Sequence, residues 1–555
     1  MTAHALPAHT QPAAAQPAAE RTRPSRAIRF ARRLAAALVA LLVMPLALAG
    51  CTLFAKDKLV VLAGSEVKDM APILEEMARD IGVELEFEYM GTLDGTEALL
   101  NAGDQPKWDA TWFPSNRYLS LFPEGQSLIS KSESIMRSDV VLGLKPEVTQ
   151  RLGWQGKQVT WQQIVDAIGA GQLTYGMTSP ISSNSGFTTL VQLSTALSGT
   201  GTVLVSDDVA KVTPQLTQFA KGQTLASGSS GWLAERFAEA PEQADGIFNY
   251  DSVLATLSVN GQQLDVIRPS DGTISSDYPL SLLSSAGPDA TGRFDKVVEY
   301  LLRDEVQQKI AETTHRQTSS SSAPTGAAPY PVFQLPFPNT LGTVQTLLTT
   351  WIANVKKASN MVFAIDTSGS MGADGRMEQL GQALAVLSGE QQDGTASLLR
   401  LQPRETITYL EFGSNIKSDV TVEIPSDAAG YQAALDKIEQ TTSGYRPGGS
   451  TAIFDTVQTA YERAIAQASG DRLSSIVLFT DGQNTTGSSE RQFESWYQGF
   501  VAQHPEAKDI PVYAIVFGEG DVGELEQLAA LTGGRTFDAG STSLASVFRE
   551  IRGYL

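Results

Sequence analysis

The chain has 555 residues, 42% of them hydrophobic and 18% charged, with a formal net charge of −20. That composition is ordinary for globular protein and its length calls for more than one domain. The first fifty residues hold six arginines and one glutamate, and without that +5 the remainder carries −25; such a chain repels phosphate backbones, which argues against nucleic acid as a partner, and it attracts divalent cations.

The N-terminus is polar and arginine-bearing up to "RFARR", Arg29 to Arg33, and then turns apolar in "LAAALVALLVMPLALAG". That run is short and proline-interrupted for a membrane span and has the layout of a secretory signal. Arg32-Arg33 hints at twin-arginine export, and the long polar start, Met1 to Ala19, suggests that translation begins further in. The run ends in "LAGC", Leu48 to Cys51, which resembles the lipobox of bacterial lipoproteins. The resemblance implies a signal peptide over 1–50, lipidation of Cys51, a tether over 51–57 and a lipid-anchored place on the extracytoplasmic face of the cell membrane. Cys51 is the only cysteine, so the chain has no internal disulfide even in an oxidising compartment. No later segment is apolar enough to span a bilayer.

From Lys58 the pattern is strand, loop, helix. "KLVVLAGSEV" is an apolar run broken at Gly64-Ser65, "KDMAPILEEMARDIG" puts Met70, Ile73, Leu74 and Met77 on one helical face, and "VELEFEYMG" alternates as a strand does. The α/β alternation continues to about Arg316, through strand candidates at "DVVLGL" and "LDVIRP". The stretch "TSPISSNSG" combines hydroxyls, an amide and a glycine ahead of an apolar helix, an arrangement that suits an anion or a polar solute. Ordinary helix capping accounts for the same residues about as well. The stretches "LAGSEVKD", "VTWQQIVDAIGAGQLTYGMTSPISSNSGFTTL", "GIFNYDSVL" and "DGTISSDYPL" resemble bacterial extracellular solute-binding proteins, the two-lobed kind that closes on a ligand. That resemblance implies a two-lobed module over 58–316, with Ser65, Thr92, Ser183, Ser185 and Tyr250 near a cleft for a small polar or anionic solute. Trp108, Trp112 and Phe113 read as core rather than as a sugar platform.

Thr318 to Thr340 is rich in Ser, Pro and Ala and is expected to be a linker, 317–340. "LGTVQTLLTTWIANVKKAS" has helical spacing and is assigned to the domain that follows, 341–555. There "ETITYLEFG", "SSIVLFTDG" and "IPVYAIVFG" read as strands with helices between, which implies a mostly parallel sheet with helices on both faces and a site outside the carboxyl ends of its strands.

At such an end "MVFAIDTSGSMG" places Asp366, Ser368 and Ser370 at every second position. Thr451 lies in a glycine-bounded loop within "RPGGSTAIFD", and Asp481 closes the strand of "LFTDG". Two carboxylates and three hydroxyls form a hard-oxygen set suited to Mg²⁺ rather than zinc; capping and turn roles are the competing explanation. Together with "LAALTGGRTFDAG", these residues resemble von Willebrand factor A domains and their metal-ion-dependent adhesion site, over roughly Leu341 to Leu555. The resemblance implies that the five residues surround Mg²⁺ or Mn²⁺ directly or through water, and that an acidic residue of a protein partner completes the shell.

An enzyme is not expected. Beyond the signal only His315 and His504 remain for a triad, and neither a G-x-S-x-G elbow nor a G-x-x-x-x-G-K-[ST] phosphate loop is present. The expected function is adhesion, scaffolding or sensing through the metal site, with the solute module modulating it. The alternative is a substrate-binding receptor of an ABC-type transporter for a small anion or polar solute.

Overall fold

The computed structural model describes residues 57–103, 106–319, 333–388, 400–469, 472–518 and 522–539, with 547 and 551. The expected signal peptide and Cys51 lie outside them, and so does all of the tether but Asp57. From Lys58 onward the chain is one compact unit.

Its first strands are β1 (Asp57–Ala63), β2 (Val83–Tyr89), β3 (Ala110–Trp112) and β4 (Ile129–Ser134). They are followed by β5 (Met136–Leu144), β6 (Tyr175–Thr178), β7 (Gln223–Ser227) and β8 (Gly246–Tyr250), then by a small hairpin, β9 (Ser258–Val259) and β10 (Gln262–Gln263). After β11 (Asp265–Ile267) and β12 (Ser275–Ser276) come β13 (Pro279–Leu283) and β14 (Gln317–Thr318). They build two lobes. One sheet runs β2-β1-β3-β13-β4; the other runs β11-β5-β8-β6-β7, with β12 and β14 also pairing β5. The chain therefore crosses between the sheets three times, from β4 to β5, from β12 to β13 and from β13 to β14, and these crossings place a cleft between the lobes.

Three helices of the second lobe bear on the argument: α1 (Asn184–Leu197), α2 (Ser206–Lys221) and α3 (Ser230–Glu239). Trp108, Trp112 and Phe113 are buried in the first lobe as core residues; the Trp112 indole N–H donates to Tyr278 O at 3.1 Å, which fixes the ring in place.

The helix α4 (Leu341–Thr350) corrects the expected domain boundary. Its N-terminus is capped by Thr340, whose hydroxyl accepts from Thr343 N. Its apolar stripe, Val344, Leu347 and Leu348, packs into the second lobe's core with Val209, Val212 and Leu216 of α2. Trp351, Ile352 and Val355 continue the contact. An amphipathic stripe must bury itself somewhere, and both faces of the later sheet are already covered by that domain's own helices. The expected linker is corrected too. Residues 320–332 lie outside the described ones, but Leu335 and Phe337 pack against the second-lobe core. Phe333 O accepts from Thr273 N, and Leu335 N donates to Thr273 O, each at 2.9 Å.

The third sheet holds β15 (Ala358–Asp366), β16 (Thr406–Phe412), β17 (Ile416–Glu423), β18 (Arg472–Thr480), β19 (Val512–Val516) and β20 (Thr536–Asp538), in the order β17-β16-β15-β18-β19-β20. All neighbours are parallel except β17 on β16. All nine residues of central β15 are buried, as a strand covered on both faces requires. Met361, Phe363 and Ile365 enter one core, which also holds residues of α5 (Arg376–Ser388). Val362 and Ala364 enter the other, against α6 (Ile453–Ala466).

Candidate functional site

The strand β15 ends on Asp366, and the chain turns there at the carboxyl edge of the sheet. Asp366 Oδ1 accepts from Ser368 N at 2.7 Å, and Oδ2 accepts from the Thr480 hydroxyl at 2.7 Å. Ser368 Oγ lies 3.0 Å from Ser370 Oγ, and Ser370 donates to Asp481 Oδ1 at 3.1 Å. Thr451 is brought alongside by the loop before α6: Gly369 N donates to Gly449 O at 2.9 Å, and Thr451 N donates to the Thr485 hydroxyl at 2.8 Å. Segments more than a hundred residues apart thus meet at one edge. Burial raises the Asp366 carboxyl above the usual carboxylate range; hydrogen bonds from Thr480 and Ser368 oppose the rise, and nearby Asp481 adds to it.

Two residues of this edge escaped the sequence reading. Arg376 Nη1 donates to Asp481 Oδ2 at 2.6 Å and to Ser370 O at 3.2 Å. Lys417 Nζ donates to Thr367 O at 2.7 Å and to Gly448 O at 2.9 Å, clamping the two loops together. Neither belongs to a spacing motif; only the fold brings them near.

The donor set fits a hard divalent cation. It is all oxygen, it carries two carboxylates with three neutral hydroxyls, and Asp366, Ser368, Ser370 and Asp481 already form a hydrogen-bonded chain, with Thr451 on the adjoining loop. Among the described residues no group of three or more His, Cys, Asp or Glu forms a metal cluster, as a zinc site would need.

The other candidate residues face the cleft. Ser183 is the N-cap of α1, and its hydroxyl lies 3.4 Å from Ser185 Oγ. Ser185 Oγ is 2.8 Å from both Thr178 Oγ1 and Ser230 Oγ. The Tyr250 hydroxyl accepts from Asn184 Nδ2 at 2.9 Å. On the opposite lobe Ser65 begins a short helix, half-buried, and no hydrogen bond ties it to the others. Thr92 is buried where the lobes meet: Leu93 N donates to Ser182 O at 3.2 Å, and a side chain on Gly91 would stand 2.3 Å from that same oxygen. Ser183, Ser185 and Tyr250 are therefore in or beside one network, with Ser65 and Thr92 across from it. Glu66, Ser230, Tyr278 and Arg316 complete the cleft and were missed. Of these, only Ser230 carried a sequence signal, a serine pair ahead of an apolar helix.

A mostly parallel sheet between two helical layers, with an oxygen cluster at its carboxyl edge, makes the C-terminal part a doubly covered α/β domain. Residues 360–550 match the family model of the von Willebrand factor type A domain, and this part of the chain is such a domain. Among solved structures, a von Willebrand factor type A protein from Catenulispora acidiphila is 17% identical, covering 36% of this chain and 43% of that one, with a TM-score of 0.27. Over the N-terminal half, the periplasmic binding protein P5PA is 14% identical, covering 54% of this chain and 100% of that one, with a TM-score of 0.42. A periplasmic thiamin binding protein is 12% identical, covering 53% and 95%, with a TM-score of 0.43. No curated protein matches the sequence significantly.

Proposed function

We propose that the protein is a lipid-anchored binding protein of the cell envelope, facing outward, and not an enzyme. Its von Willebrand factor A domain grips a partner's acidic side chain through Mg²⁺ or Mn²⁺ held by Asp366, Ser368, Ser370, Thr451 and Asp481. The two-lobed module senses a small polar or anionic solute and modulates that grip. The cation supplies a positive centre that the neutral hydroxyls leave undersaturated in charge. The residues of the chain hold the loops in register and keep the edge open.

One observation carries the reading. The module touches the domain at the starts of its strands, where Leu473, Ser474, Pro511 and Tyr513 line a crevice with Trp232 and Arg236 of α3. The oxygen cluster lies at the opposite, carboxyl edge of the sheet. The transporter-receptor alternative is less well supported, because a receptor must open its cleft to a permease and here Phe337 sits in the crevice with Arg117, Tyr118 and Asn184.

Capture of envelope proteins on the immobilised protein tests the reading. Partners retained in Mg²⁺ should be lost on chelation and absent from an Asp366→Ala column. A set retained equally by all three would refute metal-dependent gripping. For the anchor, Cys51→Ala should leave the membrane fraction; if it does not, the lipidation reading fails.

A further inference from the structure

The cleft is already occupied by a carboxyl group that the chain itself supplies. Glu66 belongs to the first lobe, just after β1. Its carboxyl folds back over Gly64, where a Cβ would stand 2.4 Å from Oε2 and 2.9 Å from the Pro114 ring. Across the cleft the Ser230 hydroxyl, at the start of α3, donates to Glu66 Oε1 at 2.9 Å. Ser230 is in turn held by Ser185 and, through it, Thr178. Arg316, wholly buried, donates to Glu66 O at 2.8 Å and to Asp69 Oδ2 at 2.6 Å, and stacks on Tyr278 at 4.8 Å. Tyr278 is buried beside that guanidinium, 5.8 Å ring to ring from Tyr250. A hydroxyl of one lobe thus meets a side-chain carboxylate of the other, while the arginine holds that residue's own backbone carbonyl, so the carboxylate stands where a receptor would present its hydroxyl donors to a free anion.

We propose that Glu66 is a built-in ligand that holds the two lobes together, and that a small carboxylate or other oxyanion enters the cleft only by displacing it. This rests on the reading of the module as a solute receptor. A carboxylate on so short a tether competes at an effective concentration on the order of millimolar or more, so the unaltered cleft answers only to a solute with contacts beyond the shared anion position.

The test uses the full chain with acetate, sulfate and inorganic phosphate as probes, read by thermal shift and by small-angle scattering. The wild type should show no shift with acetate up to about 10 mM, and Glu66→Ala should bind acetate at least about tenfold more tightly, its melting temperature rising with the logarithm of acetate. Without acetate the Ala variant should have a larger radius of gyration, and acetate should restore it. Glu66→Gln keeps the volume and an acceptor for Ser230, and should stay closed and take no acetate. Equal acetate shifts in wild type and Glu66→Ala, or in the Gln and Ala variants, would overturn the proposal; so would an unchanged radius in Glu66→Ala. The receptor reading falls separately, if wild type and Glu66→Ala both fail a wide screen of oxyanions, amino acids and sugars.

Discussion

Arg376 Nη1 donates to Asp481 Oδ2 at 2.6 Å, so the second carboxylate of the oxygen cluster already has a cation against it. Asp481 is only 5% exposed, and the guanidinium offsets a charge that would otherwise stand nearly buried beside Asp366. A divalent ion at the cluster must share Asp481 with that guanidinium or displace it. Arg376→Gln should therefore tighten Mg²⁺ binding by about tenfold, or roughly 1.4 kcal/mol, while lowering the melting temperature of the metal-free protein. Isothermal calorimetry and thermal melts read both. Weaker Mg²⁺ binding in the variant would mean that Arg376 positions Asp481 for the metal instead.

Asp366 is the residue on which metal uptake should depend most. Asp366→Ala should abolish Mg²⁺ and Mn²⁺ uptake at millimolar concentration. Ser368→Ala should only weaken it, since a water can stand in for a hydroxyl. The raised carboxyl of Asp366 means that its ionised form is disfavoured in the metal-free fold. Asp366→Asn, whose carbonyl keeps an acceptor for the Ser368 N–H while its NH2 can donate to a turned Thr480 hydroxyl, should thus leave the metal-free protein at least as stable at neutral pH while losing metal uptake. Calorimetric uptake by either variant at wild-type strength would remove Asp366 from the site.

The oxygen cluster was legible because its first three members are close in sequence and its last two end or begin regular elements. Asp366, Ser368 and Ser370 announce a turn after a buried strand, and Asp481 repeats the pattern one strand over. Arg376 and Lys417 were not legible, because a charged side chain looks the same whether it is solvated or clamped on a loop. The helix α4 was legible as a helix, since period tells which face is apolar, but not as to whose core receives that face. The Glu66–Ser230 contact joins residues 164 apart in sequence. "EVKDMAPILEEMARD" reads as a solvated charged helix, and nothing in it sets Glu66 apart from Glu75 or Glu76.

The contact between module and domain can be tested at Gly533. It ends the helix Gly523–Thr532 in the left-handed region, with φ at +74°, and a side chain there would stand 1.9 Å from Arg236 Nη2. Gly533→Ala should cost about 1–2 kcal/mol for the backbone alone, plus the displacement of Arg236 from the crevice it shares with Asp509. Arg236→Ala should relieve the second part, so the double variant should be more stable than the sum of the two single losses. Strict additivity in denaturant melts would mean that Arg236 is not held by this contact.

The last prediction concerns pH and Glu66. Burial is the largest influence on its carboxyl and raises it above the ordinary range; its own backbone hydrogen bond, the Ser230 hydroxyl and Arg316 oppose the rise, and Asp69 adds to it. The phenols of Tyr250 and Tyr278 also face it, and both are themselves raised by burial, so they stay neutral over the working range. An acid whose folded value exceeds its unfolded one contributes stability that is fully present below the unfolded value, about 4.3 for glutamate. That contribution is lost as pH rises through the folded value. Glu66→Gln imitates the protonated form at every pH. Its melting temperature should match that of the wild type in acid and exceed it increasingly as pH climbs from the ordinary carboxylate range through the raised value, then hold a constant lead. A lead already complete at the lowest pH, or one that shrinks as pH rises, would show that the Glu66 carboxylate is not held in the desolvated contact with Ser230.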